Sequence, residues 1–317
     1  MTMPTAAPPQ MNWPRRIAAR LRRAWAPPTI VLVYHRVLPE IARDPLALAV
    51  REDRFAGQMA WLAAHTATIS VDDLISEVRR DRSLRYADPR PRVLVTFDDG
   101  YADNVRVALP ILRRCAVPAV VFATTGAIAT GESYWWDWLI RIFAARGDSP
   151  ESTLREHARL KAMAASERDA ELRRMAKASG VDRAAAEQDR PMTWDELRAW
   201  AAAGCEVGGH TRTHPRLSSL SRMAIRGEIA GCRMDLQTRL GVPVRVFAYP
   251  YGSADAFDAR CEDAVKDAGY ACAFANIPGQ IRWARSAAAL PRCLVRDWEI
   301  GEFAAHVRRW CGLGVAS

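Results

Sequence analysis

No apolar run in the 317-residue chain approaches the ~20 residues that a membrane-spanning helix needs, which excludes an integral helical membrane protein. Cysteines are few. Cys115, Cys205, Cys232, Cys261, Cys272, Cys293 and Cys311 are scattered, odd in number and never in a C-x-x-C pair, which excludes a disulfide scaffold and a cysteine-rich zinc module. Seven free thiols suit a reducing compartment. No G-x-G-x-x-G or Walker sequence follows any candidate strand, so nucleotide-binding readings lose ground. What the chain does have is a globular composition, 50% hydrophobic and 26% charged, long enough to bury a large core.

The formal net charge is +9, but it is unevenly spread. Residues 1–28 carry Arg15, Arg16, Arg20, Arg22 and Arg23 and no acid, so this arm holds +5 and the other 289 residues hold +4. A mildly basic body gives no ground for a nucleic-acid partner, and none is expected. Pro4, Pro8, Pro9 and Pro14 interrupt the start, and no apolar h-region follows the arginines, so a signal peptide is not expected either. Trp13, Ile17, Leu21 and Trp25 recur every four residues with arginines between them. On a helix this is an apolar stripe flanked by cations, so residues 13–25 are a candidate for peripheral contact with an anionic membrane surface. The plainer alternative is a solvated arm. The expected location is the cytoplasm, at the inner membrane face if the arm binds there.

After Pro28 short apolar runs alternate with helical periodicity. Ile30–Tyr34, Val93–Phe97, Pro118–Thr124, Cys205–Gly209, Val244–Ala248, Tyr270–Ala275 and Cys293–Val295 read as buried strands. Residues 51–65, 105–112 (with Pro110 as a kink or break), 223–240, 259–268 and a closing stretch with Phe303, Val307 and Trp310 read as helices. Gly126 is read as the start of a loop. Thr193 with Glu196 forms a capping box that opens a helix at Trp194. Residues 132–190 begin with Trp135, Trp136 and Trp138 and continue rich in Ala, Arg and Glu, with no strand pattern. They read as a helical insertion in one α/β domain spanning 29–317, behind the arm 1–28. The tryptophans either pack that insertion onto the domain or stack on a ligand, and packing is the plainer reading.

Polar residues gather just past the C-terminal ends of four strands, where parallel α/β folds assemble their sites. They are His35, the Asp98-Asp99-Gly100 turn, His210 with His214, and Tyr249-Pro250-Tyr251-Gly252. Taken singly, each has a plain structural reading as a turn or a packed histidine. Together they have chemistry in common. His210 and His214 are two imidazoles at ligand spacing, and Asp99 could supply a carboxylate. That donor set leaves an open position for water, as catalytic zinc requires. Asp98 is then the natural general base.

The motifs Thr96-Phe97-Asp98-Asp99-Gly100-Tyr101, His210-Thr211-x-x-His214-Pro215 and Phe247-Ala248-Tyr249-Pro250-Tyr251-Gly252, in this order, resemble the polysaccharide deacetylases, the NodB-homology proteins of carbohydrate esterase family 4. The resemblance covers roughly residues 29–300. It implies a deformed (β/α) barrel that hydrolyses N-acetyl groups from amino sugars. It assigns Asp98 as base, Asp99, His210 and His214 as ligands of a divalent metal (zinc first, cobalt or nickel otherwise), Leu217 to the acetyl pocket, and the third motif around Pro250, with the Tyr251 N–H, to the oxyanion. Two departures stand out. Ala248 occupies the place of an arginine that orients the base in many members, and Arg292 is the candidate replacement. The C-terminal Leu-x-His motif is absent, since His306 follows Ala304-Ala305 within a helical stretch. Val33-Tyr34-His35 resembles the branch that includes the biofilm poly-N-acetylglucosamine deacetylases, which implies His35 as the acid for the leaving amine.

The expected function is therefore a metal-dependent hydrolase acting on an N-acetylated saccharide, in a polymer, an oligosaccharide or a lipid-linked precursor. The alternatives are a sugar-lipid deformylase and a non-catalytic carbohydrate-binding protein on the same barrel. Retention of Asp98, Asp99, His210 and His214 argues against the last.

Overall fold

The computed structural model describes residues 27–79, 88–281, 284 and 286–313, and the basic stretch 13–25 lies outside them. Eight strands form one parallel sheet: β1 (Thr29–Tyr34), β4 (Ala67–Thr68), β5 (Arg92–Phe97), β6 (Ala119–Ala123), β7 (Glu206–Gly209), β8 (Val246–Ala248), β9 (Cys272–Phe274) and β10 (Cys293–Leu294). The order is β10-β1-β5-β6-β7-β8-β9, with β4 paired to the start of β5 ahead of β6. A separate parallel pair, β2 (Arg36–Leu38) and β3 (Ala49–Arg51), was not visible in the sequence. The sheet curls without closing: Phe274 at the end of β9 makes an isolated parallel bridge to Leu290, just before β10. This is the deformed barrel expected from the motifs.

Every residue of β1 is buried, because both faces of a parallel sheet are covered. Ile30, Leu32, Tyr34, Val93, Val95 and Phe97 pack into the larger core beneath the helices. Val31, Leu94, Val120, Phe122, Val246, Ala248 and Phe274 form a second cluster on the inner face. Thr96 and Asp98 share the parity of Leu94, so the chemistry-bearing end of β5 is turned inward.

Eleven helices are described: α1 (Glu52–His65), α2 (Val71–Val78), α3 (Leu109–Arg114), α4 (Thr125–Thr130), α5 (Trp135–Ala145), α6 (Pro150–Lys161), α7 (Ala165–Ser179), α8 (Trp194–Ala202), α9 (Arg222–Leu240), α10 (Ala259–Asp267) and α11 (Ile300–Trp310). Thr193 and Glu196 make the capping box of α8, and Gly241 ends α9 at φ 68°. Among the described residues no helix is long and apolar enough to cross a membrane.

Two expectations need correction. Gly126 does not begin a loop but lies in α4. Its N–H donates to the Arg212 carbonyl at 2.8 Å, and a Cβ there would stand 2.4 Å from that oxygen, so glycine is required for the close approach. Pro110 does not break the helix: the chain stays helical from 102 to 114, with a π-helical turn, Asn104–Ala108, leading directly into α3 and Pro110 as its second residue.

Candidate active site

Three site residues continue the hydrogen-bond ladder one rung past the strands. The Asp98 N–H donates to the Tyr34 carbonyl (2.9 Å), that of His210 to Ala123 (3.0 Å) and that of Tyr249 to Phe274 (3.0 Å). This is how a parallel sheet delivers side chains from sequence-distant loops to one end of the barrel. The loop 211–213 is anchored to α9. The N–H groups of Arg212 and Thr213 donate to Glu228 at 2.8 and 2.9 Å, and the Arg212 guanidinium grips Asp235 in two 2.7 Å bonds.

The ligand set converges. Asp99 Oδ1 lies 3.4 Å from His210 Nε2 and 3.3 Å from His214 Nε2, and all three residues are buried. Asp99 Oδ1 has no hydrogen-bond partner among the described residues. His210 Nδ1 stands 2.8 Å from the Ala248 carbonyl, which requires the proton on Nδ1 and leaves the Nε2 lone pair facing Asp99. An orphaned buried carboxylate oxygen between two imidazole nitrogens fits a divalent cation, and this Asp/His/His group could hold one. Burial works against ionisation of Asp99, yet His210 and His214 hold its carboxyl far below the usual range. Burial pulls the His214 imidazole down. The same burial at His210 is outweighed by Asp98 and Asp99, which raise it.

Asp98 is gripped by Arg292. Nη1 and Nη2 donate to Oδ1 and Oδ2, both at 2.6 Å, and the guanidinium is fully buried over Phe122 and Phe274. Burial pushes the Asp98 carboxyl up, but Arg292, His210 and His35 together outweigh it and hold the group below the usual carboxylate range. His35 is partly exposed, and its carbonyl accepts from Asn104 Nδ2 at 2.8 Å in the π turn. Burial draws its imidazole below the usual range against the pull of Asp99 and Asp98.

Backbone strain is concentrated here. Of the six non-glycine residues with positive φ among the described residues, four lie at the site: Asp99 (71°), Thr211 (67°), His214 (55°) and Tyr251 (62°). Tyr251 follows Pro250 in the left-handed region, and no acceptor takes its N–H among the described residues. The His214 and Tyr251 rings meet edge to face at 4.9 Å. Leu217 is buried in a short 3-10 turn two residues past Pro215.

The family model "Polysaccharide deacetylase" matches residues 85–273, more than half of the chain. The chain belongs to the polysaccharide deacetylase family. No curated protein matches it. Its fold is that of a Streptococcus pyogenes deacetylase, PplD, solved in complex with acetate (TM-score 0.62, 16% identity, 88% of this chain and 98% of that one). IcaB from Ammonifex degensii is equally similar (TM-score 0.61, 20% identity, 90% and 97%). A de-N-acetylase from Aggregatibacter actinomycetemcomitans follows (TM-score 0.60, 17% identity, 87% and 99%).

On this family barrel, the helices α5–α7 reach the site. Trp135, Trp136 and Trp138 are buried and pack these helices into a core of their own. Packing does not exhaust their role. Trp136 meets the His214 ring at 4.8 Å, and Tyr134, stacked on Trp136, donates to the Asp99 carbonyl at 2.5 Å. Trp135 Nε1 donates to the Tyr251 hydroxyl at 3.2 Å. The sequence pattern missed this because an aromatic cluster at helical spacing signals a core, not its neighbours. His306 stacks on Trp298 at 3.9 Å, away from the ligand set.

Asp137 accepts from the Tyr101 hydroxyl at 2.7 Å, and Tyr101 accepts from Trp136 Nε1 at 2.8 Å. One buried guanidinium, Arg36, pairs with Asp103 and Asp189 and is left to serve Asp137 as well. Burial, only partly offset by Arg36, pushes the Asp137 carboxyl up to about 8 from 3.8. The folded chain thus keeps a proton that the unfolded chain has lost. Stability from this group is full below pH 3.8 and falls as the pH rises through about 8. Asp137→Asn should therefore gain on wild type as pH rises, with a melting advantage at pH 9 about 5 °C larger than at pH 5 in thermal scans. A variant whose difference from wild type is the same at both pH values would refute a neutral Asp137.

Proposed function

We propose that this protein is a metal-dependent hydrolase that removes N-acetyl groups from amino sugars in a polysaccharide, an oligosaccharide or a lipid-linked precursor. The observation that carries the reading is the ionised, Arg292-clamped Asp98 beside the orphaned Asp99 oxygen and the two imidazole nitrogens. Asp99, His210 and His214 would hold a divalent ion, zinc in the first instance, which would supply Lewis acidity and lower the pKa of a water. Asp98 accepts the proton of the attacking water, and Arg292 fixes both of its oxygens in orientation. The free Tyr251 N–H faces the negative charge that develops on the carbonyl oxygen, with Leu217 beside the acetyl methyl. His35 protonates the amine as the C–N bond breaks. An imidazole held below its usual range is the stronger acid once protonated. The products are acetate and a free amino sugar.

The test is metal content by mass spectrometry after zinc reconstitution and desalting, together with acetate release from acetylated chito-oligosaccharides. Wild type should retain about one ion per chain, and His210→Ala should retain almost none and release no acetate. Well-folded wild type that holds no zinc, cobalt or nickel would refute the reading.

A further inference from the structure

Chemistry that the deacetylase reading does not use stands at the rim of the same site. Trp135, whose indole holds the Tyr251 hydroxyl, carries the Arg168 guanidinium over its ring at 4.7 Å and the His157 imidazole stacked at 4.8 Å and 7°. Lys161 Nζ stands 4.7 Å from the centre of the Tyr251 ring itself. Lys161 closes α6 and Arg168 lies in the first turn of α7, so two successive helices deliver two cations to one aromatic pair.

Neither cation has a close counter-charge of its own. The Arg168 side chain is 11% exposed, its Nε has no hydrogen-bond partner among the described residues, and its nearest carboxylate, Asp169, is 3.9 Å away. Asp169 also faces Arg183 at 3.4 Å. Lys161 has no carboxylate within ion-pair distance among the described residues. Asp255, the acid that faces it, is bonded to Arg216 and to the Ser253 hydroxyl at 2.6 Å. Burial first, and then Lys161 and Arg168, push His157 down to about 4, so that imidazole is neutral and the field around it is positive. A largely buried guanidinium whose one ion pair is long and shared with a second arginine is under-compensated, and an entering anion completes its pairing. A planar guanidinium beside a mobile ammonium suits a phosphoryl or carboxylate group, with the guanidinium giving two parallel bonds and the ammonium a point charge.

We infer that the substrate carries an anionic group next to the acetylated amino sugar, a phosphoryl or a carboxylate, and that Arg168 and Lys161 bind it across Trp135 and Tyr251. This inference rests on the deacetylase reading for the identity of the sugar. It does not rest on it for the anion site. Tyr251 links the two, since its ring also meets His214.

The experiment uses the full chain reconstituted with zinc, as wild type, Arg168→Gln, Lys161→Gln and the double variant. Acetate release is compared for neutral tetra-N-acetylchitotetraose, N-acetylglucosamine 1-phosphate and a hyaluronan tetrasaccharide, which alternates acetylated sugar with uronate. One anionic substrate should exceed the neutral one in kcat/KM, and each single substitution should lower that advantage about 10-fold or more through KM, leaving the neutral substrate unchanged. Whether the phosphate or the uronate gains identifies the source of the charge. In parallel, tryptophan fluorescence is titrated with inorganic pyrophosphate and with glucuronate, a readout independent of turnover. Saturable quenching in wild type that weakens in both variants supports the anion site. Equal kcat/KM on neutral and anionic substrates, unchanged by the substitutions, overturns the inference and leaves the deacetylase standing. Anion binding lost in Arg168→Gln without acetate release from any substrate supports the anion site and overturns the deacetylase. No saturable quenching and no substrate preference overturns the inference outright.

Discussion

Arg292→Leu should destabilise the protein by about 3–5 kcal/mol at pH 7, the cost of leaving a buried carboxylate without its partner. Asp98 is 2% exposed, Arg292 is fully buried, and both oxygens of the carboxylate are spent on the one guanidinium. The sign of the pH dependence follows. In wild type Arg292, with His210 and His35, outweighs burial and depresses the Asp98 pKa, so the stability contributed by the pair is present above the usual carboxylate range and is lost as pH falls through the depressed value. In Arg292→Leu burial is opposed only by His210 and His35, and Asp98 takes up a proton more readily. The deficit should therefore narrow as pH is lowered from 7 towards 5. Urea unfolding of wild type, Arg292→Leu, Asp98→Asn and the double variant closes a cycle. The double variant should be more stable than Arg292→Leu alone, because no unpaired charge remains. A loss under about 1 kcal/mol in Arg292→Leu would mean that water reaches Asp98 and that the pair does not hold the base.

That pair also shows what a linear reading of the chain can reach. Asp98 and Arg292 are 194 residues apart, and no local pattern joins them. Arg292 came into view only because Ala248 left the base without an expected cation. The strands β1, β5 and β6 were legible because strands buried on both faces are continuously apolar. The ligand residues were legible because each stands in a short motif directly after such a strand. The pair β2 and β3 was not, since three-residue strands are below any periodicity. Helix α4 was misread because Gly126 suggests a loop, whereas its real constraint is the Arg212 carbonyl on a loop 86 residues downstream. Arg168 and Lys161 were invisible for the opposite reason. In an arginine-rich helical stretch nothing marks the two weakly compensated cations until the tertiary contacts are known.

Asp98→Asn should reduce kcat by about 10²–10⁴-fold and leave metal content at the wild-type level. The side chain differs from Asp98 by one atom, so positioning survives, but an amide cannot accept the proton of the attacking water. The same change leaves Arg292 buried beside a neutral group, so part of any loss could come from a weakened fold. The two causes separate on temperature and on metal. A fold effect is relieved by assaying well below the melting transition and by adding Arg292→Met, which removes the stranded charge. A missing base is relieved by neither. His210→Ala should lose both metal and turnover, so Asp98→Asn with full metal and little turnover distinguishes a proton acceptor from a ligand. If Asp98→Asn kept kcat within about tenfold of wild type, Asp98 would not be the base. Its grip on Arg292 would then be structural, and His35, which is coupled to both aspartates and lies outside the proposed ligand set, would have to carry the proton instead.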